Sequence, residues 1–210
     1  MKLSLLPLPL LLALNARVAL PQSTNEYAHP THQLWKSDSP KGFSGGTQEL
    51  NLSLGAGFGM AVITSPRTHD WALGALEYGL IFTDPVGADH WYGGNWELVA
   101  ELFGGEQFYP STAYLVGIAP LLRYDFAASR RCVPFIDFGV GPTATDIRDG
   151  DLSTTFEFNV QGGAGAHFFL TDKLALTFQY RFFHLSNAGF KFPNLGANNS
   201  TFLAGLSWFF

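Results

Sequence analysis

The sequence is short of charged residues, of cysteine and of long apolar runs. Charged residues make up 14% of its 210 residues, and no apolar run reaches the ~18 residues that a membrane-spanning helix needs. Cys132 is the only cysteine, so the chain can form no internal disulfide. The formal net charge is −5 and no basic run occurs, which argues against nucleic acid as a partner.

Apolar residues, aromatic residues and glycine are abundant instead. The chain is 47% hydrophobic and 15% aromatic, and it contains 23 glycines. This composition is typical of an all-β protein with many turns. The length is sufficient for one domain with a sizeable core.

The N-terminus has the features of a secretory signal peptide. Lys2 precedes the apolar stretch Leu3–Leu14, and small residues such as Ala16 follow it. We therefore expect residues 1–20 to be a signal peptide, cleaved between Ala16 and Leu20. The polar residues 21–45 that follow show no periodicity, and we predict that they form a flexible N-terminal extension.

From residue 46 onward, apolar and polar residues alternate with period two, which is typical of strands with one apolar face. The pattern occurs eight times, so we predict one β-barrel domain over residues 46–210. Each strand has ~10 residues, the length that crosses a bilayer when tilted. The predicted strands contain Leu50–Met60, Leu76–Phe82, Trp96–Leu102, Tyr114–Asp125, Ile136–Val140, Phe156–Phe168, Leu174–Phe182 and Thr201–Phe210.

The polar face of these strands carries a few charges of both signs. Such a set is sparse for a soluble surface, but it can pair inside a small barrel that is too narrow for an open channel. The apolar face is broad and edged with Trp and Tyr, as for lipid contact with an aromatic girdle. We therefore predict an eight-stranded antiparallel transmembrane barrel of the bacterial outer membrane, with a soluble lipocalin-like barrel as the alternative. The residues predicted to face inward are Glu77, Glu97, Glu101, Arg123, Asp137, Glu157 and Arg181.

The end of the chain supports an outer-membrane location. In GLSWFF, Gly205, Trp208 and Phe210 follow a pattern that resembles the terminal strand signal of bacterial outer-membrane barrels. With both termini in the periplasm, odd-numbered strands run outward and the external loops are the longer ones. The stretch HLSNAG, His184–Gly189, ends strand seven and then lies at the outer leaflet.

HLSNAG holds a histidine and a serine two residues apart. His184 and Ser186 have the parity of the predicted lipid-facing residues of strand seven. Neighbours on one face lie ~6.6 Å apart along a strand, a gap that an imidazole can span to reach a hydroxyl. The pair is compatible with a base and a nucleophile. The alternative is an interfacial histidine followed by an ordinary Ser-Asn-Ala-Gly turn.

The stretch HLSNAGFKFPNLGANN resembles the C-terminal motif of outer-membrane lipid A 3-O-deacylases, and APLLRYDF and PFIDFGVG resemble that family's middle strands. The resemblance implies an eight-stranded barrel that hydrolyses the ester-linked acyl chain at the 3 position of lipid A. That family uses a serine, a histidine and a glutamate that face the membrane. The resemblance assigns Ser186 as nucleophile and His184 as base, and it places the acid position on Asn198. No Asp or Glu occurs from His184 to Phe210, so this chain departs from the family pattern.

An asparagine at the acid position has a defined chemical cost. Its oxygen can accept the imidazole N–H and fix the tautomer, but it supplies no charge, and in a serine protease the Asp-to-Asn change lowers the rate ~10⁴-fold. For the oxyanion, the backbone N–H groups of Ala188 and Gly189 are candidates. Asn187 and Asn194 are expected either to donate to the oxyanion or to hold the loop.

The expected partners are lipid A, as part of lipopolysaccharide, and the outer membrane, with a homodimer compatible with the sequence. We expect no cofactor and no metal. His29 and His32 have no further ligand near them, and Gly55–Gly59 lies inside a strand, so it forms no phosphate loop. Two alternatives remain: a broader lipid esterase, and a non-enzymatic structural or adhesin-like barrel whose motif only stabilises a loop. The missing carboxylate favours the second.

Overall fold

The computed structural model describes residues 33–36, 42–148 and 150–210. The predicted signal peptide, His29 and His32 lie outside these residues. The described chain forms a closed antiparallel barrel in which each strand pairs with its sequence neighbours and the first pairs with the last. The strands are β1 (Gln48–Gly59), β2 (Asp70–Ile81), β3 (Gly94–Tyr109), β4 (Ala113–Phe126), β5 (Cys132–Thr145), β6 (Phe156–Phe169), β7 (Leu174–Ser186) and β8 (Ala197–Phe209).

The predicted fold class is confirmed, but several strands are longer than their alternation suggests, β3 and β5 among them. β3 continues to Tyr109 and β5 covers Cys132–Thr145. In these extensions, glycine and proline replace the side chains that would mark the two faces, so the period-two pattern disappears although the backbone stays paired. Separately, no helix in the described ranges is long and apolar enough to cross a membrane.

The predicted assignment of the two faces is also confirmed. Along β7, Phe178 and Tyr180 are exposed, whereas Thr177, Gln179 and Arg181 are buried in the interior. All seven side chains predicted to face inward are buried. The interior is thus polar and the outside apolar, the arrangement of a barrel whose outer surface faces lipid.

Two arginines organise the interior. Arg123 lies 2.9 Å from Glu49 and from Glu77, 3.3 Å from Asp137 and 3.5 Å from Glu97. Arg181 pairs with Glu77, Glu101 and Asp137. Pairing of this kind is required because an isolated charge in a closed interior is costly. Glu157 stays outside this network and accepts a hydrogen bond from the Thr154 hydroxyl at 2.7 Å.

An apolar cluster closes the barrel at the end where β1 begins and β8 ends. Phe43 is fully buried and stacks on Trp35 and on Phe209, with ring centroids 4.8 and 5.1 Å away. Leu34 belongs to the same cluster. The described parts of the predicted flexible extension therefore pack against the barrel, because their apolar side chains cover its otherwise open end. We call this cluster the terminal plug.

The links between strands differ in length at the two ends of the barrel. At the end opposite the terminal plug they comprise residues 60–69, 110–112, 146–155 and 187–196. At the plug end, the links 127–131 and 170–173 are short, as predicted for periplasmic turns. Two links depart from the prediction: 82–93 at the plug end is the longest, and 110–112 at the other end is the shortest. His184 and Ser186 lie at the end opposite the terminal plug.

Candidate active site

The site is built on the last residues of β7 and the first residues of β8. His184 and Asn198 are direct cross-strand partners. Ser186 lies two residues beyond His184 and therefore on the same face of the strand. His184 and Ser186 are partly exposed on the outer surface, whereas Asn198 is fully buried beneath them. Regular strand pairing thus brings all three side chains to one point of the outer surface.

The three side chains form a continuous hydrogen-bonded chain. The Nδ1 atom of His184 lies 2.7 Å from Oδ1 of Asn198, and its Nε2 atom lies 3.1 Å from Oγ of Ser186. This is the connectivity of a nucleophile, a base and a group that orients the base. No carboxylate among the described residues bonds to His184, so this chain of contacts contains no ion pair.

The amide of Asn198 determines the tautomer of His184. Its Nδ2 donates a hydrogen bond of 2.8 Å to the carbonyl oxygen of Val62. A carbonyl oxygen can only accept, so the amide nitrogen must face Val62 and the amide oxygen must face the imidazole. Oδ1 can only accept in turn, which places the ring proton on Nδ1. The Nε2 lone pair is then directed at Ser186, where a general base needs it.

A glycine packs against the imidazole of His184. Gly196 has a φ of +79°, and a Cβ added there would lie 2.8 Å from Cε1 of His184. Both the left-handed conformation and the close approach require glycine. The Gly196 N–H is 3.4 Å from the carbonyl oxygen of Asp151, and the Leu195 N–H donates to the same oxygen at 2.8 Å. The β5–β6 loop therefore holds the chain that supports the ring.

Some of the donors predicted for the oxyanion already form hydrogen bonds within the turn after Ser186. Asn187 holds the loop: its Oδ1 accepts the Gly189 N–H at 3.0 Å, and its Nδ2 donates to the Lys191 carbonyl at 2.9 Å. Oδ1 of Asn194 accepts the Asn187 N–H at 3.0 Å. Among the described residues, the Ala188 N–H and the Asn194 Nδ2 have no acceptor. These two donors are free to bind a developing oxyanion.

An apolar groove of about 450 Å³ lies on the same outer face, toward the middle of the barrel. Phe178, Tyr180 and Phe202 form its aromatic wall, and the small residues Gly55 and Ala204 leave space between the strands. Its side chains continue the face that carries His184, because β7 and β8 place every second residue there.

The amide contact with Val62 and the glycine behind the ring were not foreseen from the sequence. A single glycine before a strand is a weak signal for Gly196, and nothing in the pattern marks a backbone carbonyl at Val62. Within the described part of the chain, no group of three or more His, Cys, Asp or Glu residues is arranged to hold a metal ion.

The chain matches a known protein family. The family described as Lipid A 3-O-deacylase (PagL) matches residues 75–207, which is more than half of the chain and includes the whole hydrogen-bonded chain from Ser186 to Asn198. No curated protein matches the sequence.

Two solved structures are similar in fold. The outer membrane enzyme PagL superposes with a TM-score of 0.54 at 21% identity, over 75% of this chain and 97% of that one. Neisserial surface protein A (NspA) superposes with a TM-score of 0.52 at 13% identity, over 79% of this chain and 97% of that one. At these identities the similarity concerns the barrel fold alone.

Proposed function

Because the chain belongs to the lipid A 3-O-deacylase family, we propose that it removes the acyl chain by a Ser186–His184 mechanism at the outer leaflet. Family membership makes it an outer-membrane lipid A deacylase, an ester hydrolase. The observation that carries the mechanism is the chain of contacts from Ser186 through His184 to Asn198, with distances of 3.1 and 2.7 Å. The separation of base and nucleophile is already within hydrogen-bonding reach.

In the first half-reaction, Ser186 Oγ attacks the ester carbonyl of the acyl chain while Nε2 of His184 accepts its proton. The negative charge that develops on the carbonyl oxygen is bound by the Ala188 N–H and by Nδ2 of Asn194, the donors left free by the turn. When the tetrahedral intermediate collapses, the C–O bond to the sugar breaks, and the imidazolium returns its proton to the leaving sugar oxygen. The acyl chain is now an ester of Ser186.

In the second half-reaction, water replaces the sugar. His184 Nε2 accepts a proton from the water as its oxygen attacks the acyl-enzyme carbonyl, and then returns that proton to Ser186 Oγ. The products are a free fatty acid and the regenerated serine. Throughout the cycle, Oδ1 of Asn198 accepts a hydrogen bond from the Nδ1–H of His184 and keeps the ring in place, although the amide adds no charge to stabilise the imidazolium.

The location of the site supports action on a lipid within the membrane. His184 and Ser186 share the outer face of the barrel with Phe178 and Tyr180, which are exposed to the surroundings. The apolar groove on that face can receive the acyl chain. With the terminal plug on the periplasmic side, the site lies at the opposite end of the barrel, where lipid A forms the outer leaflet.

The test is deacylation of purified lipid A by the refolded protein in detergent, followed by mass spectrometry. We expect lipid A to lose one acyl chain with the wild-type protein and none with Ser186→Ala. Both proteins should show the heat-modifiable migration of a folded barrel. Equal products from the two proteins would contradict the proposal and favour a non-enzymatic barrel.

A further inference from the structure

We infer that the β1–β2 loop is a positioning element of the catalytic site, and that it makes the acid position specific for an amide in place of a carboxylate. The inference rests on the proposed function, since it concerns how His184 is oriented for catalysis. It depends on the Val62 carbonyl, which lies 2.8 Å from Nδ2 of Asn198 and comes from the other side of the strand pair.

The Val62 carbonyl is fixed by its own turn. It also accepts the Ser65 N–H at 3.2 Å, while the Val62 N–H donates to the Met60 carbonyl at 2.9 Å. Ile63, within this turn, has a φ of 60°. This conformation is strained for a β-branched residue, so the surrounding contacts must hold the turn in place.

Further hydrogen bonds fasten the loop to the start of β8. The Met60 N–H donates to the Asn198 carbonyl at 2.8 Å, and the Thr64 hydroxyl donates to the Leu195 carbonyl at 2.6 Å. Nδ2 of Asn199 donates to the His69 carbonyl at 2.6 Å. The loop therefore contacts the chain before, at and after Asn198. The position of the Val62 oxygen is consequently set relative to the amide and not left to a mobile loop.

This geometry disfavours a carboxylate at position 198. An aspartate has the shape of asparagine, but both of its side-chain oxygens are acceptors when it is ionised. One would face the imidazole, and the other would stand where Nδ2 now lies, against the Val62 oxygen. Two acceptors in contact would replace the amide donor of the Val62 carbonyl, which would keep only the Ser65 N–H, and would repel the carboxylate. A carboxylate would bring negative charge to the imidazolium, which favours catalysis. The repulsion from Val62 would displace that carboxylate and misalign the ring, which opposes the gain.

The experiment compares wild type with Asn198→Asp and Asn198→Ala, each refolded as the full chain in detergent micelles. We measure kcat and KM on purified lipid A, with heat-modifiable migration as the check of folding. We expect kcat of Asn198→Asp to fall roughly tenfold or more, to no more than that of Asn198→Ala, with KM little changed. An Asn198→Asp enzyme as fast as wild type or faster would overturn the inference while leaving the proposed function intact.

A measurement independent of activity tests this inference separately from the proposed function. The ¹⁵N NMR signals of the His184 ring, assigned with His184→Gln, report which nitrogen carries the proton. We expect the Nδ1–H tautomer in wild type and in Ser186→Ala, and its loss in Asn198→Ala. A wild-type ring protonated on Nε2 overturns the inference even if Asn198→Asp does not refold. A wild-type protein with the Nδ1–H tautomer and no activity would refute the proposed function alone.

Discussion

The barrel holds two polar clusters that differ in almost every respect. The interior cluster is centred on Arg123 and Arg181, is fully buried and is held by ion pairs with carboxylates from several strands. The outer cluster consists of Ser186, His184 and Asn198, carries no ion pair and is partly open to the lipid side.

The difference shows that the charged groups stabilise the fold, whereas the hydrogen-bonded groups of the outer cluster are placed for chemistry. In the interior, each arginine meets several carboxylates, so a single loss leaves charges without a partner in a closed space. In the outer cluster, the groups are joined one after another by single hydrogen bonds, from Ser186 to His184 and from His184 to Asn198. A directional chain of hydrogen bonds without an ion pair can pass a proton without first breaking one. The interior is therefore expected to control folding, and the outer cluster to control turnover.

The largest effect is expected from the outer cluster. His184→Ala should lower kcat by at least about 10³-fold, and the double variant with Ser186→Ala should be no slower than either single variant, because base and nucleophile act as one unit. The barrel should remain folded on gels. Additive losses in the double variant would show that the two residues act separately.

The next largest effect is expected from the interior. Arg123→Met removes the partner of several buried carboxylates and should lower the free energy of unfolding by about 3–5 kcal/mol. Urea titration in micelles measures this loss. The control is Lys36→Met, which removes the exposed Lys36–Asp84 pair of 2.8 Å and should cost less than about 1 kcal/mol. Equal losses in the two variants would mean that the interior network is no more important than a surface pair.

The terminal plug should affect stability without affecting chemistry. Phe43→Ala removes a fully buried ring that stacks on Trp35 and Phe209. The expected loss is about 3 kcal/mol in the free energy of unfolding. kcat on lipid A should stay at the wild-type value, because the site lies at the other end of the barrel. A large fall in kcat of the folded variant would show that the two ends are coupled.

The smallest effect is expected in the β1–β2 loop. Ile63 has a φ of 60°, a region that asparagine tolerates better than a β-branched residue. Ile63→Asn should therefore raise the free energy of unfolding by about 1 kcal/mol and leave kcat unchanged. Ile63→Val is the matched control and should give no gain. A fall in kcat of the folded variant would show that relieving the strain at residue 63 moves the Val62 carbonyl away from Asn198.

The sequence predicted the fold and the two faces of the strands because side chains alternate with a fixed period. That period also placed His184 and Ser186 on the outer face. It predicted pairing of both arginines with inward carboxylates, and this is confirmed for Arg123 with Glu77 at 2.9 Å. Glu49 was missed, because it lies just before the residues in which the alternation of β1 becomes visible.

The loops could not be predicted in the same way, since they have no period and their contacts join distant parts of the chain. Val62 and Asn198 are separated by 136 residues, and their contact involves a backbone carbonyl that every residue type possesses. The packing of Phe43 in the terminal plug could not be predicted for a similar reason. A single aromatic residue in a polar stretch does not indicate which residues it packs against. The roles assigned to Ala188 and Asn194 stay predictions.

The seam between β1 and β8 has one more consequence. Gln48 and Phe210 exchange backbone hydrogen bonds of 2.9 and 3.0 Å, and pairing then continues from Glu49–Phe209 to Gly59–Asn199. The hydrogen-bonded ladder thus closes into a ring, and the pairing of its strands does not depend on which strand comes first in the chain. A circularly permuted chain, opened in the 170–173 link and joined across the seam, would retain every pair of neighbouring strands. His184 and Asn198 would still face each other across one hairpin.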